Sequence, residues 1–459
     1  MIRRKMTATL GLVVASSLAL AACSPSADDD STDSDSTTAA DNTGDETGDD
    51  TSGDKVTVTF RLWDDVAAPA YEESFDRFMA ENPDINVEVE VVPWADYWER
   101  LPLDLSSGDM ADIFWVNTSN FGIYVDNGQL LSISEEIGND HDEWQTSITD
   151  LYSRNGELWG VPQIWDSIAL FYNKEMVDEA GIDPTTLKWV PGAGEGDTLV
   201  AAAQKLTKDS EGRTADDADF DASSIETFGF NSQNDLQAIY VNFLAENGAQ
   251  FQGEDDQFAF ASPEGVEAFQ YLVDLIHEYN VAPPASETNT NGDYSRELFV
   301  RGELGLFQSG PYALKTIADT AEFEWALAPK VEGPEGRISV VHGVAAVGNA
   351  GTENKEETVR VLQWLGSADG QMPLAEQGIS FPGAVEAQDA FVNYWAEQGV
   401  DVSVFIEAAQ EPTAKSPVGP QVNAGSVAMG SILQDIFAGN VGVEEGLQEA
   451  QEVGNDAMQ

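Results

Sequence analysis

Tryptophans with planar polar neighbours carry the first chemical signal in this sequence. Trp63-Asp64-Asp65, Trp115-Val116-Asn117 and Trp165-Asp166 each set an indole beside a carboxylate or an amide. An indole face packs on the C–H face of a sugar ring, and carboxylates and amides pair with ring hydroxyls. A site for a polyhydroxylated ligand therefore needs both kinds of group in one cleft. A tryptophan at a strand end also serves as core packing, and each of the three stands open to that reading by itself. Catalytic patterns are missing. His141, His277 and His342 are far apart and form no His-Glu-x-x-His. No phosphate loop and no Gly-x-Ser-x-Gly elbow occurs. Gly192 to Gly196 lacks the spacing of a dinucleotide fingerprint and reads as loop. Asp217, Asp219 and Asp221 fit positions one, three and five of a calcium loop. Ala222 and Phe228, however, stand where Gly and Glu are needed. Carboxylates suited to glycoside hydrolysis are not excluded by type, but with 82 acidic residues any chosen pair reads as surface charge. Neither a cofactor nor a metal is expected.

The elements that must position these residues alternate between two periods. Val56, Val58, Phe60 and Leu62 alternate with polar residues as a strand, and Tyr71, Phe75, Phe78 and Met79 share one helical face. Val87, Val89 and Val91 mark a second strand, 96–106 a helix containing Pro102, and 111–116 a third strand. This rhythm predicts an α/β fold with parallel strand order. Further strands are expected at 167–172, 227–230, 304–307 and 343–347, and helices at 174–180, 266–276, 356–365 and 425–437. In α/β sheets a ligand cleft lies beyond the carboxyl ends of the strands. Trp63 follows the first strand and Trp115 ends the third, while Trp165-Asp166 is expected to open the strand at Ser167.

The beginning of the chain indicates an address. Arg3, Arg4 and Lys5 precede an apolar run, Leu10 to Leu20, too short to span a bilayer. It ends in Leu20-Ala21-Ala22-Cys23, which resembles a bacterial lipobox whose cysteine takes a diacylglyceryl group. Cys23 is the single cysteine of 459 residues, so no disulfide and no thiol catalysis is expected in the folded part. Residues 24–54 hold no aromatic or large aliphatic side chain and many like charges, which predicts a solvated tether. Removing Arg3, Arg4 and Lys5 leaves 18 cations against 82 acidic residues, a net charge of −64. Such a surface repels nucleic acid and anionic lipid, so the lipid must hold the protein to the membrane. A diacylglyceryl anchor suffices.

Several stretches resemble family 1 bacterial extracellular solute-binding proteins, the group similar to maltose-binding protein. Ser107 to Trp115 is similar to the family's "SG..PD.." strand entry, with Ala111 where Pro is usual. Phe121-Gly122 to Gly128-Gln129-Leu130-Leu131 is similar to its "FG.Y...G.L" segment, and Gly160-Val161-Pro162 to Ile168–Lys174 to "GVP......LYYNK", where the chain first crosses between domains. Gly302 to Gly310-Pro311-Tyr312 resembles "G..A....G.W", with Tyr312 for the usual Trp, and His342-Gly343-Val344 resembles the second crossing.

That resemblance implies a periplasmic-binding-protein-like fold, two α/β lobes joined by a hinge of several strands and closing on a ligand between them. It puts a signal peptide at 1–22, the lipidated tether at 23–54, one lobe at 55–165 plus about 343–395, and the other at 166–342 plus about 396–459. Asp64, Asp65, Trp115 and Asn117 would lie on the first lobe's rim. Asp166 would accept hydroxyls at the hinge beside Trp165, Tyr312 would stack from the second lobe, and His342 would precede the second crossing. The implied function is a monomeric, lipid-anchored, non-catalytic subunit on the outer face of the cell membrane. It would pass a carbohydrate to the permease of an ABC importer. A secreted carbohydrate-active enzyme, or the same fold with a non-sugar ligand, is the alternative.

Overall fold

The computed structural model describes residues 55–459 apart from Glu254, Glu411 and Pro420. The expectations for Cys23, the signal segment and the tether lie outside the described residues. Two sheets organise the rest, and only their strands are numbered here. They are β1 (Val56–Leu62), β2 (Ile85–Val91), β3 (Ile113–Asn117), β4 (Val161–Asp166), β5 (Ala169–Asn173), β6 (Lys208–Asp209), β7 (Ile225–Phe230), β8 (Leu304–Ser309), β9 (Trp325–Pro329), β10 (His342–Gly348) and β11 (Phe381–Pro382). The first sheet has the order β11-β4-β10-β3-β1-β2, the second β9-β5-β8-β7-β6.

Strand β1 follows its alternation: Val58, Phe60 and Leu62 are fully buried against the helix Ala68–Glu81, which turns Tyr71, Phe75 and Phe78 inward. β2 and β3 flank β1 in parallel, as the strand–helix–strand rhythm requires. The sheet as a whole is mixed. β10 arrives from the second sheet and runs antiparallel to both β3 and β4, an order that no local periodicity records. The helix Trp94–Ser107 runs continuously through Pro102.

The strand expected at 167–172 is β5, and Trp165-Asp166 does not open it but closes a separate strand, β4. β4 ends at Asp166, and β5 starts at Ala169 in the other sheet. Ser167 and Ile168 make the crossing, and both are fully buried. Ser167 Oγ donates to Phe405 O (2.7 Å) and Ile168 N donates to Ser339 Oγ (2.9 Å). The short parallel strands Ser339–Val340 and Thr413–Ala414 lie side by side, and Ser416 Oγ donates to Val341 O (2.5 Å). The two connections between the sheets and the segment 405–416, which leads to the last two helices, are thus hydrogen-bonded to one another, a hinge of several strands. A two-lobed α/β fold of the binding-protein kind results. The acidic loop 209–224 is organised by Asp209. Its carboxylate accepts from the Glu211, Arg213 and Asp221 amides and from Arg213 Nε (2.7 Å). Among the described residues no helix is long and apolar enough to cross a membrane.

Candidate ligand-binding site

The site follows from strand direction. β1, β2, β3 and β4 run parallel, so their carboxyl ends share one edge of the first sheet, and antiparallel β10 begins at that edge with His342. In the second sheet β7 and β8 are parallel and end at Phe230 and Ser309; Ser309 pairs with Ala169, the first residue after the crossing. The carboxyl ends of both sheets therefore meet at the hinge, and polar side chains collect there.

Register sorts the candidates by face. Asn117 opposes Val344, Val344 opposes Ile164, and His342 opposes Asp166. Opposed residues of antiparallel strands project to the same side. Asn117, His342 and Asp166 therefore share a face across three neighbouring strands. Trp165, one residue earlier, projects to the other face. It is 2% exposed and stacked on Phe381 at 4.6 Å. Trp115 shares the face of Asn117 but is fully buried, enclosed by Trp63 (4.9 Å) and Tyr71 (5.5 Å). Both indoles are buried in this conformation. Asn117 caps the helix Thr118–Asp126, accepting from the Asn120 amide (3.1 Å) and Asn120 Nδ2 (2.8 Å).

Asp166 ends β4 half-buried and accepts from Gln237 Nε2 at 2.5 Å. Burial pushes its carboxyl up to about 7, against the opposing hydrogen bond from Gln237. Opposite it, burial pushes His342 down to about 4, so its imidazole is neutral at pH 7, and its Nε2 is buried without a partner. Asp64 accepts from the Val66 (2.8 Å) and Ala67 (3.2 Å) amides, holding the turn into the helix Ala68–Glu81. Burial raises its carboxyl; neighbouring Asp65 adds to the shift, and the charge of Arg296, on the helix Tyr294–Val300, opposes it. Asp65 is exposed.

Tyr312 follows β8 and is 44% exposed. A Cβ on Gly310 would lie 2.3 Å from the Tyr312 ring, so glycine there lets the ring fold back over its own backbone. Burial, then the charges of Asp235 and Asp166, push the phenol above its ordinary value.

Two residues join the site that the tryptophan pattern does not reveal. Asp235 caps a single π-helical turn, Leu236–Tyr240, by accepting from the Ala238 amide (2.8 Å). That turn aims Gln237 at Asp166. Burial raises the Asp235 carboxyl. Their signal is the polar run Asn231-Ser232-Gln233-Asn234-Asp235 directly after β7, the strand-end rule applied to the second sheet. Carboxylates, amides, a neutral imidazole and an exposed tyrosine ring thus converge on the hinge. They can accept and donate several hydrogen bonds to a polar ligand while a ring face covers its apolar side. Among the described residues no group of three or more His, Cys, Asp or Glu is placed to hold a metal ion.

Fold and site together define a hinged, two-lobed solute-binding protein. The sequence matches the bacterial extracellular solute-binding proteins over residues 64–372, and the chain belongs to that family. UspC of M. tuberculosis is 40% identical in sequence and superimposes with a TM-score of 0.73, over 88% of this chain and 100% of that one. An ABC substrate-binding protein of Listeria monocytogenes in complex with cycloalternan is 21% identical and shares the fold with a TM-score of 0.75, over 88% and 99%. In sequence alone, a maltooligosaccharide ABC transporter solute-binding lipoprotein of Streptococcus pneumoniae is 22% identical over 84% of this chain and 82% of its own.

Proposed function

We propose that this protein captures a carbohydrate outside the cell and delivers it to the membrane permease of an ABC importer without altering it. The observation that carries the reading is the meeting of Asn117, His342 and Asp166 with Gln237 and the exposed Tyr312 ring at the hinge. Planar hydrogen-bonding groups beside an open aromatic face match the two surfaces of a sugar ring. Relatives that bind maltooligosaccharide or cycloalternan support the same class of ligand. Asp64, Asp65, Asp166, His342, Asn117 and Tyr312 are the residues we assign to the ligand, with Trp115 and Trp165 supporting them from the core. The lobes divide near Trp165 and His342, where the chain crosses. The protein acts as a monomer held on the outer face of the membrane through Cys23. The test is a thermal-unfolding screen against a panel of sugars, amino acids, peptides and metal ions, with the recovered sugar analysed for cleavage. One class of sugar should raise the melting temperature and return unchanged. Cleavage would replace transport by hydrolysis, and a response only to non-sugars would overturn the carbohydrate assignment.

A further inference from the structure

We infer that Trp94 is an outer stacking platform of the cleft, so that the ligand is a chain of several sugar rings. This rests on the carbohydrate reading above. Asp166, His342, Asn117, Trp63 and Trp94 stand at or just past the same edge of five neighbouring strands, β4, β10, β3, β1 and β2 in that order. Neighbouring strands are about 4.8 Å apart, so four spacings carry the row about 19 Å from Asp166 to Trp94. A single ring fills only a fraction of that length.

Trp94 is the one tryptophan among the described residues with more than half its surface exposed, at 52%. An indole left in water forgoes the stabilisation that burial would supply. Its position is nevertheless fixed. Trp63 lies at 5.3 Å and 80° to it, Trp98 at 5.3 Å and 81°. Trp63 in turn packs on buried Trp115, so the aromatic column continues into the core. The helix Trp94–Ser107 is pinned as well. The buried Arg61 of β1 pairs with Asp104 on that helix (2.6 Å) and with Glu90 of β2 (2.8 Å). An exposed ring on so rigid a mount has little rotamer freedom left to lose on binding. Trp94 and Tyr312 are then open aromatic faces on opposite lobes, one at the far end of the row and one at the hinge.

Calorimetry with malto- and arabino-oligosaccharides of one to five units tests this on wild type, Trp94→Ala, Trp94→Phe and Leu103→Ala. Leu103 is exposed on the same helix but nine residues on, half a turn round. Wild-type affinity should rise with added rings. Trp94→Ala should lose about ten-fold or more of that rise, Trp94→Phe should keep part of it, and Leu103→Ala should keep all of it. Thermal unfolding checks that each variant is folded; if Trp94→Ala is not, Trp94→Phe decides by losing part of the rise or none. Wild-type length dependence in the tryptophan variants would overturn the inference. So would a wild type that binds the monosaccharide as tightly as its oligomers. If no sugar binds at all, the carbohydrate assignment falls and this inference with it.

Discussion

Among the residues proposed for the ligand, Asp166 gives the sharpest test. Burial holds its carboxyl up to about 7, so at neutral pH it is poised between its two forms. On the proposed reading a sugar hydroxyl would donate to the carboxylate, and such charge-assisted bonds are stronger than neutral ones. Ligand would therefore favour the ionised form and release a proton on binding. Affinity should rise as pH rises through about 7 and level off above it. A titration from pH 5.5 to 8.5 checks this, and Asp166→Asn should flatten the profile as well as weaken binding. The tryptophan at 115 calls for a different measurement. With its indole fully enclosed, Trp115→Ala should cost about 3–5 kcal/mol of folding stability. Tyr312→Ala removes a half-open ring and should leave the unfolding midpoint near wild type while lowering affinity about thirty-fold. Denaturant unfolding beside calorimetry separates the two residues.

Among the elements, the 209–224 loop shows how acidic sequence becomes ordered structure. The buried Asp209 carboxylate pays a desolvation cost, but the Asp221 and Arg213 amides, the Arg213 guanidinium and the Glu211 amide outweigh it, bringing its value down to about 2. An aspartate in the unfolded chain titrates near 3.9. The stability Asp209 contributes is thus fully present above about pH 4 and fades as pH falls toward 2. Asp209→Asn should melt below wild type at pH 6, and the gap should close in scans toward pH 2. The crossing at Ser167-Ile168 is the other element whose partners are specific. Its hydrogen bonds to Phe405 and Ser339 tie one lobe-to-lobe connection to the others, so the lobes share a hinge rather than a flexible linker.

At the scale of the molecule, a ligand held between lobes binds the closed form better than the open one and draws the population toward it. At a hundred times its dissociation constant it also stabilises the folded state by about 2.7 kcal/mol. The sugar that raises the melting temperature should therefore also reduce the radius of gyration in solution scattering. A chain with 21 cations and 82 acidic residues has no electrostatic reason to approach an anionic bilayer. Cys23→Ser should then release the protein from the membrane fraction or leave it unprocessed, read by fractionation and mass. A processed variant that still sediments with membranes would contradict the lipid anchor.

Local periodicity made β1, β2, β3 and the helix Ala68–Glu81 legible, because their core faces repeat at two or 3.6 residues whatever the rest of the chain does. The strand-end rule and the family resemblance likewise brought Asp64, Asn117, Asp166, Tyr312 and His342 to notice. Face and depth belong to tertiary structure. Trp165 and Asp166 are neighbours in sequence, yet the pleat sends one onto Phe381 and the other toward Gln237. Trp115 and Trp94 are alike as side chains, yet Trp63 and Tyr71 enclose the first while the second stays half open. Gln237 reaches Asp166 across 71 residues of chain, through a π-turn with no periodic signature. Residue type and spacing determined which chemistry this protein could hold. Only the pairing of distant strands decided which side chains meet, because burial and partnership are made by the three-dimensional neighbours that a linear pattern does not contain.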